Sequence, residues 1–443
     1  MIRFCTALLV ACLLLTSCGD DEGFTNAPIP SGRLTVINAI PDSPTLSVVT
    51  NNISGGNISF GESTPVTNVL PQIPLNFRVS FNSLVNNIDQ TVDEREITLD
   101  IDFSRTILLS GTFANPVVTE ISDPPFDFAT DTTDTRIRFI NATSNIASAT
   151  ANLTNPNGTN QSIAFTNGQP TAFTTTTAGS DVQLEITDTS SGAVLWTSGT
   201  FILSAAGNRT FVLIDNFGPG DDAVQLISVN DPSGTALFLN AELDSTLRVA
   251  NHAAAQGPLD IYVDDVLVQT LAFNEVSDFS ATGVGNAVVR VTPAGDPATE
   301  LSSTERTFFG GFFYTLQIVS TADAAVVGTN LYGEFRRPIA NLATVNVTKL
   351  APAVPNIDLY FQNRGEGVAG APEGSRLPDL QAGAITLQPR DYDLYVTEAG
   401  TTNILVGPVP ITLNARSTYT VHITDAAGGG LPLAVQLLDD FQN

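Results

Sequence analysis

The sequence predicts an all-β chain of four tandem immunoglobulin-like β-sandwich domains, joined as beads on a string. Three observations predict it. Short runs of residues alternate apolar with polar, the period-two signature of half-buried strands. Only 14% of the 443 residues are charged, below the ~25% usual for globular chains, and Gly and Pro are spread between the apolar runs as turn punctuation. One phrase also recurs four times. It is clearest at Leu247 to Val263 (LRVANHAAAQGPLDIYV), with copies opening at Arg33 (RLTVINAIPDSPTLSVV), Arg136 (RIRFINATSNIASATANL) and Thr344 (TVNVTKLAPAVPNIDLYF).

Those openings are 103, 111 and 97 residues apart, enough for one sandwich of ~100 residues each. Solenoid and propeller units repeat every ~20 to 50 residues and are too short. The expected boundaries are 33–128, 136–230, 247–335 and 342–443. Asp123-Pro124-Pro125 closes the first domain, because proline lacks the N–H that a continuing strand needs. Asp231-Pro232 marks the second hinge, with Thr235 to Leu239 as an extra strand beside it.

Within the first domain, Ile97, Leu99, Ile101 and Phe103 alternate with Thr98, Asp100 and Asp102. This reads as one strand with a solvated carboxylate face. Trp196, the only tryptophan, is expected in a core. Asp264-Asp265 fits a hairpin turn, and the late strands of the last two domains align as FYTLQI and TYTVHI. Phe211, Tyr314 and Tyr419 are set in equivalent places by this alignment.

The N-terminus has its own logic. Arg3 precedes the apolar run Ala7 to Leu15, the pattern of an export signal. The run is shorter than the ~20 residues of a spanning helix. It ends Leu15-Thr16-Ser17-Cys18-Gly19, which resembles the lipobox of bacterial lipoproteins. The resemblance implies cleavage before Cys18, acylation of Cys18, and an outer-membrane address, since Gly19 stands where a retention aspartate would. Residues 1–17 are then a signal peptide and 18–32 a lipidated tether. All three cysteines fall in the first eighteen residues, so the mature chain has no disulfide framework.

A formal net charge of -27 and a single lysine, Lys349, exclude nucleic acid as a partner. No catalytic, cofactor-binding or metal motif emerges. His252 and His422 do not recur between repeats and lack a nucleophile partner. His422 aligns with Gln317, Ile214 and Ser110, and Asn251, His252 and Asp260 read as variable surface positions. Asp221-Asp222, Asp264-Asp265 and Asp439-Asp440 lie in or near expected turns and could serve calcium, but none has loop-ligand spacing. Gly218 to Gly220 and Gly428 to Gly430 read as turns rather than phosphate loops.

The repeat opening (aliphatic strand, Asn-Ala or similar, a proline-bearing loop, Leu-Asp-Ile-Tyr-Val) resembles the bacterial family called domain of unknown function 4397. The match is best at Leu247 to Val263 and Arg33 to Val49. Lys349 departs from it, standing where the other copies have Asn38, Asn141 and Asn251. The resemblance implies extracytoplasmic, immunoglobulin-like, repeated domains. The expected function is a lipid-anchored cell-envelope protein, not an enzyme, with a binding or scaffold role. Its partners are the membrane, through the anchor, and a glycan or protein met by loops such as Ala39 to Thr45 and His252 to Pro258. The alternatives are an envelope hydrolase with carboxylates assembled from distant strands, and a calcium-rigidified surface stalk.

Overall fold

The computed structural model describes residues 31–64, 67–83, 88–129, 132–216, 224–231, 234–321, 326–334 and 336–441. The expected signal segment, Cys18, the glycines at 218–220, Asp221-Asp222 and Pro232 of the expected second hinge lie outside the described residues. Repeat 3 shows how alternation becomes a core. In its first strand, Ser245–His252, Leu247 and Val249 turn inward to meet Leu259 and Ile261 of the second strand, Leu259–Val263. Val289, Val291, Leu316 and Ile318 complete the contact from the fifth and seventh strands. Asp264 and Asp265 join the second strand to the third, Val266–Leu271, with φ of 47° and 63°. Two consecutive left-handed residues are what a type I′ hairpin turn requires.

Each repeat has two sheets. The front sheet orders its strands fourth, first, seventh, eighth; the back sheet orders them third, second, fifth, sixth. First and seventh strands run parallel: Gly32–Asn38 with Ser104–Thr112, Asp134–Asn141 with Asn208–Asp215, Ser245–His252 with Phe313–Ser320, and Ala343–Leu350 with Thr418–Thr424. The tandem β-sandwich architecture is the expected one. Its connectivity differs from the seven-stranded immunoglobulin order, which pairs A-B-E-D and C-F-G. Repeat 2 splits its sixth strand into Val194–Thr197 and Phe201–Leu203, and adds Gly234–Phe238 to the front sheet. Trp196 is buried in this repeat's core.

Two local expectations change. The strand ending at Ile97 stops there, and Asp102 has φ of 61° in the following turn, so Leu99 enters the core while Ile101 is 44% exposed. Asp100 and Asp102 remain exposed.

The larger correction concerns the beads on a string. The front sheets of repeats 1 and 2 pack face to face through Ile37, Ala39, Leu108 and Ile121 on one side and Ile140, Val212, Ile214 and Ile227 on the other. The front sheets of repeats 3 and 4 meet through His252, Gln317 and His422. Repeat 1 also touches the segment before repeat 4: Arg337 donates to the carbonyls of Pro41 and Ser43 at 2.7 and 2.8 Å, and the Ala340 N–H donates to that of Asp42 at 2.8 Å. Apolar side chains on both faces of one sheet need a cover on both faces, and a neighbouring repeat supplies the outer one.

Candidate functional site

Parallel pairing fixes which positions correspond. Leu34, Ile137, Leu247 and Val345 lie opposite Arg105, Arg209, Tyr314 and Tyr419. The equivalent of Tyr314 in repeat 2 is therefore Arg209, not Phe211. By the same register His422, opposite Thr348, corresponds to Gln317, Val212 and Leu108, rather than to Ile214 and Ser110.

The recurring asparagine is a folding device. Asn38, Asn141 and Asn251 are each fully buried at the end of a first strand. Each side-chain oxygen accepts the N–H two residues on, from Ile40, Thr143 and Ala253, at 3.0 to 3.1 Å. Each side-chain amide donates to a carbonyl further on, that of Ile58, Ile146 or Leu271. This is an Asx-turn that aims the loop back over the core. Lys349 takes the same place in repeat 4, fully buried, with Nζ donating to the Ala351 carbonyl at 2.6 Å and lying 3.2 Å from Asp379. Asn251, His252 and Asp260 are thus interior, not variable surface positions. Asp260 accepts from the Thr270 hydroxyl and the Gly295 N–H.

Between repeats 3 and 4 the front sheets enclose a polar chain. His252 Nε2 and His422 Nδ1 are 2.9 Å apart, His252 Nδ1 is 3.1 Å from Asn274 Oδ1, and Gln317 Nε2 is 3.3 Å from His422 Nε2. With Asn330 donating to Gln317 Oε1 at 2.8 Å, one direction of donation satisfies every ring nitrogen: His422 gives its Nδ1 proton to His252, and both imidazoles are neutral. Burial pushes His252 down to about 4, against a weaker upward pull from Asn274. Burial, then the charges of His252 and Arg248, push His422 well below the ordinary histidine value.

Beside this chain lies a buried ion cluster. Arg248 donates to Glu334 of its own repeat and to Asp440 of repeat 4, while its Nε donates to the Thr315 hydroxyl at 2.7 Å. Burial lowers the Arg248 pKa, but hydrogen bonds and charges from Asp440 and Glu334 outweigh it and leave it raised. Burial likewise raises Glu334. Arg336 stacks on Phe279 and Phe313 and donates to the Asp440 carbonyl at 2.5 Å. Distant strands do bring two carboxylates together here, as the hydrolase alternative required. Both are nearly inaccessible, at 0% and 2% side-chain exposure, and both are held by one arginine, so the arrangement is an interface clamp.

The equivalent corner between repeats 1 and 2 is open. Arg138, the counterpart of Arg248, again donates from Nε to a seventh-strand threonine, Thr210, at 2.9 Å, and from Nη1 to Asp123 of the neighbouring repeat at 2.7 Å. Here a cavity of about 320 Å³ remains. Arg33, Arg136 and Arg138 line it with Asp102, Asp123 and Asp127, among serine, threonine and asparagine side chains. The Arg136 guanidinium lies 3.7 Å from the Phe126 ring centroid and 4.3 Å from that of Phe173. Burial, more than any charge, lowers its pKa.

The proposed ligand loops have other partners. Ala39 to Pro44 is buried, and Asp42 pairs with Arg416 at 2.7 Å and accepts the Phe113 N–H at 2.8 Å. In His252 to Pro258 the Ala254 carbonyl accepts the Gly428 N–H at 2.8 Å. Asp439 and Asp440 are in the last strand, not a turn. Among the described residues no three His, Cys, Asp or Glu side chains gather as a cation cage.

Comparison with known proteins agrees with the reading of repeat 3. No curated protein matches the chain. A matching solved structure, the Bacillus anthracis TIE protein, is 11% identical, with 90% of this chain and 68% of that chain covered at a TM-score of 0.15. Residues 245–360 match the model of a family described as a domain of unknown function (DUF4397), a stretch that takes in all of repeat 3 and the opening strands of repeat 4. The resemblance carried by Leu247 to Val263 is therefore shown for residues 245–360.

Proposed function

We propose that this chain is a lipid-anchored protein of the bacterial cell envelope, held at the outer membrane through Cys18, with a non-enzymatic binding and scaffold role. The observation that supports it best is the pairing of front sheets. Two sandwiches locked face to face hold a fixed relative orientation, and the polar cleft at the junction of repeats 1 and 2 is built from both. Sites held by rigid elements meet a ligand without ordering cost. The partners in this reading are the membrane, through the lipid, and a glycan or protein ligand. A glycan and cell-surface binding screen with the mature chain, residues 18–443, tests the role. Specific capture of a ligand class supports it, and uniform absence of binding across glycans and cells overturns it. Cys18→Ser tests the anchor: the variant is expected in the soluble fraction, and firm membrane association would count against lipidation.

A further inference from the structure

We infer that the cleft between repeats 1 and 2 is a binding site for an acidic sugar residue, a ring that carries both hydroxyls and a carboxylate. This deepens the binding role proposed above and rests on it. The argument begins with Arg136. Its guanidinium carbon lies 3.7 Å from the Phe126 ring centroid and 4.3 Å from that of Phe173, a ring it shares with Arg138, so aromatic contacts hold the group in place while its N–H groups keep their donor capacity. Arg136 lines the cavity, and among the described residues it forms no ion pair, although it lies within the field of Asp123. A guanidinium fixed in its plane presents a rigid two-pronged donor matched to a carboxylate, and less freedom is lost on binding than for a mobile side chain.

The other pair of repeats shows which chemistry suits this corner. There the counterpart arginine, Arg248, is satisfied by the carboxylates of Glu334 and Asp440. Between repeats 1 and 2 the counterpart, Arg138, takes one carboxylate, Asp123, and cavity remains beside it.

The remaining lining argues for a sugar over a bare anion. Thr35, Ser63, Ser104 and Asn208 offer hydroxyl and amide groups that both donate and accept, while Asp102 and Asp127 accept only. Three carboxylates would disfavour a small, highly charged anion, yet they suit ring hydroxyls as donors. The volume, about 320 Å³, is at the lower end of small-ligand sites, which begin near ~300 Å³. A terminal residue or a single ring is the size it admits.

The test is calorimetric titration of the mature chain with three probes: oligogalacturonate, a neutral glucose oligomer of equal length, and sodium sulfate. Oligogalacturonate is expected to bind about tenfold or more tightly than the neutral oligomer, and sulfate to compete only weakly. Arg136→Gln is expected to lose that preference, and Arg136→Lys, which keeps the charge but not the planar fork, to lose most of it. Trp196 emission checks that both variants fold. Equal binding of acidic and neutral oligomers, equal competition by sulfate, or binding untouched by Arg136→Gln overturns the site. Ligands caught in the wider screen whose binding ignores Arg136→Gln would leave the binding role standing while removing this cleft from it.

Discussion

His422 donates from Nδ1 to Nε2 of His252 across 2.9 Å, and this bond joins repeat 3 to repeat 4. The chain of donors runs one way, from Asn330 through Gln317 and the two imidazoles to Asn274. A further proton on either ring would place two N–H groups against each other. Arg248, Arg336, Glu334 and Asp440 are the charged groups beside it, and Gln436 reaches across to the Asn274 carbonyl.

Acid should therefore weaken this half of the chain. A histidine whose folded pKa lies below its unfolded value of 6.5 contributes its full stability above pH 6.5 and loses it as pH falls towards the folded value, about 4 for His252. The loss is about 1.4 kcal/mol per pH unit for one such group. Thermal melting of the mature chain between pH 7 and pH 4.5 measures it. His422→Gln is expected to flatten the dependence, and an unchanged slope in that variant would remove the imidazole pair as its source.

Removing Arg248 should cost far more than removing a surface arginine. Arg248→Ala leaves Glu334 and Asp440 buried together without the guanidinium that hydrogen-bonds both, with Arg336 as the nearby positive charge that remains, a change worth roughly 3 to 5 kcal/mol. The Arg364 side chain is 46% exposed beside Asp391 and Asp393, so solvent screens its pairs and Arg364→Ala should stay within about 1 kcal/mol. Urea denaturation of both variants provides the comparison, and equal losses would contradict it.

The buried residue at the end of the first strand can be tested by truncating it in two repeats. Asn251→Ala removes the acceptor for the Ala253 N–H and the donor to the Leu271 carbonyl, and should cost about 1 to 3 kcal/mol. Lys349→Ala should be at least as damaging, because Asp379 loses its partner and the space stays empty. Chemical denaturation would show it, and a neutral Asn251→Ala would mean that the loop holds its course without the turn.

Repeats 1 and 2 report on themselves through one chromophore. Trp196 is 1% exposed in the core of repeat 2, with no hydrogen-bond partner for its Nε1 among the described residues. Ile140→Ala, at the face shared with repeat 1, should lower the denaturant midpoint of the Trp196 emission change by the equivalent of about 2 to 5 kcal/mol. An unaltered midpoint would show that the shared face adds nothing to repeat 2.

Strand alternation made the four cores legible. Leu247, Val249, Leu259 and Ile261 face inward as their spacing requires. Pairing of the front sheets was harder to see, because alternation describes sheets with one wet face. The signal lay in runs without alternation, Ile107-Leu108-Leu109 and Phe211 to Ile214, which mark strands covered on both sides. The histidine pair was missed because its members belong to different repeats, which the beads-on-a-string reading kept apart, and a search for recurrence compares equivalent positions rather than facing ones. A separate error of two residues in the late strands of repeats 1 and 2 leaves a period-two pattern unchanged, and the register of Arg209 against Ile137 removes it. The Arg136 cleft had no local signal, since Phe126 and Phe173 come from segments far apart in the sequence.

The two shared faces use one geometry and opposite chemistry. Where repeats 1 and 2 set Ile37, Leu108, Ile140 and Val212, repeats 3 and 4 set Ala250, Gln317, Thr348 and His422. A chain of related domains risks misassembly between the wrong neighbours as it folds. Crossing these faces would leave Gln317 and His422 dehydrated against isoleucine, a cost that the correct partner alone avoids. Divergence at four positions thus works as a proofreading rule for which repeats dock.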